Sequence, residues 1–199
     1  PIFIKKIEAA DKTVSLSEQY LSVIEIGGAY MHRFKEILDF IGLRTLVITD
    51  IDSVDGNTRK RCPVEKGKSN ITSNAALSNW IPALNNIDDL LSADETKKIK
   101  GQIRVAYQTM FNGKCGRSFE EAFIIENSVY IHNNRDELKS IIGGFSAGDD
   151  VTAKSYEIQD FIDKNRRKTD FAFDLLSISQ NDWNVPSYIQ DGLSWLSQP

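Results

Sequence analysis

The stretch Arg44–Gly56, RTLVITDIDSVDG, runs a greasy segment into two aspartates, Asp50 and Asp52, one residue apart. Continuous rather than alternating hydrophobicity in TLVIT predicts a central strand covered on both faces. One carboxylate at its end could cap a helix. Two that repel each other point to a ligand that needs negative charge, most simply a divalent cation, which takes hard oxygen ligands. On an extended backbone the two side chains fall on opposite sides. Both reach one ion only if the strand ends between them and the chain curls.

Upstream, YLSVIEIGG (Tyr20–Gly28) reads as a short apolar strand closed by a glycine pair. Tyr30, Phe34, Ile37, Leu38 and Ile41 then follow helical spacing, and Gly42 is a natural stop. Strand, helix and strand make a βαβ unit, which implies parallel pairing. Ligands of such sheets bind beyond the carboxyl ends of the strands. Glu25 stands at that end of the first strand, so it is expected to converge with Asp50 and Asp52.

Downstream, a polar loop is expected to about Ile71, then helices near Asn74–Trp80, Asn86–Leu91 and Asp94–Thr109. Further helices are expected at SFEEAFIIEN, with Ser118 as N-cap, and at Arg135–Ile142, Thr152–Asn165, Lys168–Ser177 and Pro186–Leu196. Residues 58–116 read as a mainly helical insertion into a small α/β core. Residues 1–17 read as a lead-in from an upstream domain, and 18–199 as the catalytic unit. The chain opens in mid-pattern without a Met, so a fragment of a longer protein is expected.

Composition is that of a globular protein, with 41% hydrophobic and 26% charged residues. No apolar run approaches the roughly 18 residues that span a bilayer. PIFIKKIEAADK carries no signal-peptide pattern, and a cytoplasmic location is expected. Cys62 and Cys115 form no CxxC pair, which excludes a zinc knuckle. A net charge of −4 argues against a sequence-independent nucleic-acid coat. Yet RKRCPVEKGK (Arg59–Lys68) and KNRRK (Lys164–Lys168) gather nine of the 24 Lys and Arg residues. Arg59, Lys60, Arg61, Arg166 and Arg167 are the candidate DNA contacts. No GxxxxGK[ST] phosphate loop occurs, so no ATP site is expected in these residues.

VIEIGGAY followed by LVITDIDSVDG resembles a Toprim domain, the Rossmann-like fold of topoisomerases, bacterial primases and several nucleases. With TSNAALSNW, RSFEEAFIIEN and KTDFAFDLL in that order, the chain resembles more narrowly the C-terminal Toprim region of the OLD (overcoming lysogenization defect) endonucleases. That family includes the nuclease subunit of the Gabija anti-phage system. The resemblance implies a mostly parallel central sheet flanked by helices, and metal-dependent nicking or cleavage of DNA with two Mg²⁺ or Mn²⁺ ions. It also implies an upstream ATPase and dimerisation domain and a helicase partner. By position Glu25, Asp50 and Asp52 would be metal ligands, Glu120 or Glu121 would complete the acidic set, and Lys168 would meet phosphate charge. Ser53, beside the aspartates, is a further candidate ligand. Many Toprim proteins carry a second acid four residues after the first. Here that position is Ala29, and Glu120, Glu121 and Asp55 are the candidate replacements.

Two alternatives remain open on the sequence. VITDIDSV also fits the DxDx[TV] signature of haloacid-dehalogenase phosphohydrolases, with Asp50 as nucleophile and Asp52 as acid/base. The missing second acid motivates a Toprim module that binds or assembles without catalysis.

Overall fold

The structure is a computed structural model that describes residues 2–178 and 182–198. Thr45–Ile48 forms strand β1 as the apolar run predicts. Its partner is not the upstream segment. β1 pairs in parallel with Ile103–Ala106, with Thr45 opposite Ile103 and Ile48 opposite Ala106. The helix expected at Asp94–Thr109 is therefore replaced by a short 3-10 turn and two strands. Asp94 caps the 3-10 turn Glu95–Lys98 by accepting the Thr96 and Lys97 amides, and the chain leaves it extended at Ile99. The β-branched Ile103 and Val105 suit a strand better than a helix.

In chain order the elements are α1 (Ile2–Ala10), α2 (Lys35–Ile41), β1, β2 (Ser53–Val54), β3 (Ile71–Thr72), α3 (Ala75–Asn79) and α4 (Ile87–Ser92). Then follow β4 (Ile99–Lys100), β5 (Ile103–Ala106), α5 (Phe119–Glu126), α6 (Ser128–Asn133), α7 (Ser155–Lys164), α8 (Lys168–Ser177) and α9 (Ser187–Ser197). The main sheet has the order β1-β5-β4, with β4 antiparallel to β5, so it is a mixed sheet. β2 and β3 pair separately as a small antiparallel ribbon. Every residue of β5 is buried, which identifies it as the centre of the sheet. Residues 58–116 thus supply α3 and α4 and also β3, β4 and the central strand.

Two apolar clusters form the core. Val47, Ile51, Leu77, Ile87, Val105 and Tyr107 belong to one. The other joins α5, α7, α8 and α9 through Phe123, Ile158, Phe171 and Ile189. α9 lies close to the sheet at Gly192, where a Cβ would stand 3.0 Å from a Leu46 methyl and 3.3 Å from the Ala106 Cβ. α1 joins the same core: Ile7 is buried and the Phe3 ring lies 5.9 Å from Phe119 and 6.0 Å from Trp183. Residues 135–142 are turns rather than a helix.

The segment expected as the first strand has no regular secondary structure and belongs to no sheet. Val23 and Ile24 are 79% and 76% exposed. The helix predicted after it is a 3-10 stretch, Gly28–Phe34, running into α2, which Gly42 stops at φ +67. No residue of α2 is buried. Apolar periodicity specified local conformation here, while strand pairing depends on a partner edge that local sequence does not name.

Candidate metal and phosphate site

The curl between the aspartates is real and local. β1 ends at Ile48, and Asp52 takes a left-handed φ of +50°, a conformation that Asp tolerates better than most side chains. Neighbours hold it there. The Asp52 amide donates to the Arg117 carbonyl at 3.1 Å, and the Ser73 amide and hydroxyl donate to the Asp52 carbonyl at 3.1 and 3.0 Å. Arg117 is buried and its guanidinium lies 3.0 Å from an Asp52 carboxylate oxygen, while its Nε donates to the Ser53 carbonyl at 3.0 Å.

Asp50 is fixed differently. Its Oδ1 accepts Gln108 Nε2 at 2.7 Å and the Phe119 amide, in the first turn of α5, at 2.9 Å. Gln108, fully buried just beyond β5, uses its Oε1 to accept the Ile51 amide at 2.7 Å. One side chain thus ties the turn and the carboxylate together. Burial, reinforced by the negative charge of Glu120, pushes the Asp50 carboxyl up to about 6 despite these donors.

The two glutamates that sequence leaves equivalent separate clearly. The charge of Glu120 is felt by Asp50, and Lys168 Nζ lies 3.3 Å from the Glu120 carboxylate. Ser118 donates to Glu120 Oε2 at 2.7 Å rather than capping α5 with its side chain. Glu121 turns inward, accepting the Arg117 amide at 2.7 Å and the Ser155 hydroxyl at 3.2 Å. Lys168, the first residue of α8, also lies 3.2 Å from Asp163. Burial alone would lower its pKa, but the charges of Glu120 and Asp163 outweigh that and hold the ammonium above its ordinary range.

Other candidates are used within the fold. The Ser53 hydroxyl is buried within reach of Cys62 Sγ and the Pro63 carbonyl, and its own carbonyl accepts Arg117. Asp55 Oδ1 accepts the Asn57 and Thr58 amides and shapes the following turn. Arg167 Nη1 reaches the Lys139 and Ser140 carbonyls, whereas Arg59, Lys60 and Arg166 are exposed. Glu25 is exposed on the unpaired segment. It lines a shallow cavity with Leu46 and Ile48, while Asp50 and Asp52 line a neighbouring apolar cavity of about 590 Å³ with Ile26, Phe119 and Leu176. Among the described residues no three His, Cys, Asp or Glu side chains are grouped to hold a metal ion.

The donor chemistry at Asp50, Asp52 and Glu120 nevertheless suits a hard cation. All three are oxygen donors, and Asp50, raised first by burial and then by the Glu120 charge, would regain its ionised form beside a cation. Gln108, Arg117 and Asp163 carried no sequence signal of their own. Arg117 opens the quoted RSFEEAFIIEN block but drew no role there, and only the fold reveals that it is buried against Asp52.

A mixed α/β sheet flanked by helices, with paired aspartates just beyond the end of β1, is consistent with a Toprim domain. The comparisons with known proteins agree. The family model described as overcoming lysogenization defect protein-like, TOPRIM domain, matches residues 1–52, which include Glu25, Asp50 and Asp52. Over 204 aligned residues the chain is 29% identical to Endonuclease GajA of Bacillus cereus (strain HuB5-5), covering 94% of this chain and 29% of that protein. The chain therefore spans less than a third of the length of this curated relative. No solved structure matches it. The resemblance to OLD-family Toprim sequence is thereby shown.

Proposed function

We propose that the chain is the catalytic Toprim region of an OLD-type nuclease, hydrolysing DNA phosphodiesters with divalent metal. The observation that carries this reading is the grouping of Asp50, Glu120 and Lys168: a part-buried carboxylate, a second carboxylate whose charge it feels, and an ammonium against the second. Asp50, Asp52 and Glu120 would hold Mg²⁺ or Mn²⁺. A bound ion there supplies Lewis-acid polarisation of a phosphoryl oxygen and lowers the pKa of bound water.

The chain's own groups supply the rest. Lys168 Nζ, half exposed, offsets charge on a phosphate approaching Glu120 without transferring a proton. Gln108 and the Phe119 amide fix one oxygen of Asp50 and leave Oδ2 for a ligand. Arg117 fixes Asp52. Arg59, Lys60 and Arg166 present charge to the DNA backbone. A second ion, as the family resemblance implies, would require Glu25 to join the set from its present exposed segment.

The upstream ATPase, a helicase partner and a role in phage defence belong to the same proposal, on the strength of the family resemblance. The phosphohydrolase alternative gains no support, because the relative found is named an endonuclease. No helix among the described residues is long and apolar enough to cross a membrane.

The test is nicking of supercoiled plasmid by the 199-residue chain with Mg²⁺ or Mn²⁺. Conversion to open circles should occur with metal, stop with chelator, and disappear in Asp50→Ala. Metal-independent nicking, or full activity in Asp50→Ala, would overturn the assignment.

A further inference from the structure

The two basic segments that sequence analysis set apart meet on one acidic side chain. Asp163, with its side chain only 7% exposed, lies at the end of α7. Its Oδ2 accepts Arg61 Nη1 at 2.7 Å and Gln159 Nε2 at 2.6 Å, and its Oδ1 lies 3.2 Å from Lys168 Nζ. Arg61 comes from the first basic segment and Lys168 from the second. Their side chains are 56% and 49% exposed, so the acid is the buried anchor and the cations are the outer, solvent-facing members.

The backbone explains the meeting. After α7 the Arg166 amide donates to the Asp163 carbonyl at 3.1 Å, and Arg166 takes φ +56°. This tight turn folds α8 back so that its first residue, Lys168, stands over Asp163. Arg61 is delivered from the other side by a bridge to Val54 in β2.

The chemistry of the three groups is unequal. Lys168 is held between Asp163 and Glu120. Arg61 touches Asp163 through Nη1, which leaves the rest of its planar fork uncommitted. A guanidinium fork matches a phosphate with two parallel hydrogen bonds, a better fit than this single contact. Gln159 stays with Asp163 in either case, so the carboxylate keeps a donor if Arg61 departs.

From this we infer that Asp163 is a positioning residue that couples DNA contact to the Lys168–Glu120 pair. In the free protein it shares its charge between Arg61 and Lys168. When a backbone phosphate takes Arg61, the whole Asp163 charge is left to Lys168, which is then held more firmly in its place between Asp163 and Glu120. DNA engagement at the first basic segment thereby sets the lysine at the candidate reaction centre. The inference rests on the nuclease reading above, because it takes the Arg61 ligand to be a DNA phosphate.

The experiment compares Asp163→Asn, Arg61→Gln and the double variant of the 199-residue chain. It measures duplex affinity against salt concentration and single-turnover cleavage with metal. Asp163→Asn should bind DNA roughly threefold tighter, because Arg61 no longer has to leave a partner. Its turnover should fall on the order of 10- to 100-fold, because Lys168 loses its support. Arg61→Gln should flatten the log–log salt slope by about 0.9, the value of one phosphate contact. In the double variant the affinity gain should vanish. A generic effect of removing negative charge would persist there and would overturn the inference, as would unchanged turnover in Asp163→Asn. A purely structural role predicts weaker binding, not tighter. If Asp163→Asn does not fold, the Arg61→Gln slope decides alone, and an unchanged slope refutes the coupling. A wild-type chain that neither binds nor cuts DNA sinks the nuclease reading itself, whereas a wild-type chain that cuts beside a normal Asp163→Asn sinks only this inference.

Discussion

Asp52 and Arg117 hold each other twice. The guanidinium meets the carboxylate at 3.0 Å, and the Asp52 amide donates to the Arg117 carbonyl at 3.1 Å. Arg117 is buried while the Asp52 side chain is 38% exposed, so the arginine is the member that loses most if the pair is broken. Asp52→Ala should cost on the order of 1–3 kcal/mol in urea unfolding, between the values for exposed and buried pairs. Asp52→Ala that unfolds like wild type would show that Arg117 finds another partner.

Asp50 should show the opposite sign. Burial and the Glu120 charge raise its carboxyl from 3.8 to about 6. Below about pH 4 it is protonated in both folded and unfolded chains, and no penalty exists. Between about pH 4 and 6 the folded chain keeps a proton that the unfolded chain has released, so stability falls as pH rises. Above 6 the penalty is complete, on the order of 2–3 kcal/mol. Asparagine keeps an Oδ1 for Gln108 and the Phe119 amide but carries no charge. In chelator, Asp50→Asn should therefore melt higher than wild type at pH 7, with the gap opening between pH 4 and 6, and should not cleave DNA. A gap that is flat with pH would refute the charge argument.

The pair Glu120 and Glu121 gives a separation of roles. Glu120→Gln should abolish the rise in melting temperature that Mg²⁺ or Mn²⁺ produces. Glu121→Ala should keep that rise but lose about 1–3 kcal/mol, because the Arg117 amide and the Ser155 hydroxyl both lose an acceptor in a buried setting. Equal effects of the two substitutions on the metal response would show that the inward-turned glutamate also feels the ion.

These predictions also mark where sequence was legible. β1, α8 and α9 follow from apolar runs and helical spacing, which are local properties. Asp50, Asp52 and Lys168 drew attention because charge beside a greasy run is locally anomalous. Gln108, Arg117 and Asp163 did not, because their importance comes from burial against partners 58, 65 and 102 residues distant. The strand at Ile103–Ala106 reads as helix in the sequence because a short, wholly buried strand carries no alternation.

The remaining prediction concerns the open edge of β1. Thr45 and Thr49 donate their amides toward the β5 side, to the Gln102 and Ala106 carbonyls at 2.8 and 3.0 Å. By the two-residue repeat of a strand, the Leu46 and Ile48 amides face the other way, where no strand is paired. The segment Leu21–Ile26 lines one cavity with Leu46 and Ile48. Val23 and Ile24 are exposed there, and burying them would favour its addition as a further strand. Pairing in parallel would carry Glu25 to the same end of the sheet as Asp50, and an ion shared by the two would favour that pairing over the open form. In chelator the Leu46 and Ile48 amides should therefore exchange with solvent far faster than the Val47 amide. With Mg²⁺ or Mn²⁺ both should become protected, and Glu25→Ala should remove the added protection without altering that of Val47. If metal leaves Leu46 and Ile48 as exposed as before, Glu25 takes no part in holding the ion, and the acidic set ends with Asp50, Asp52 and Glu120.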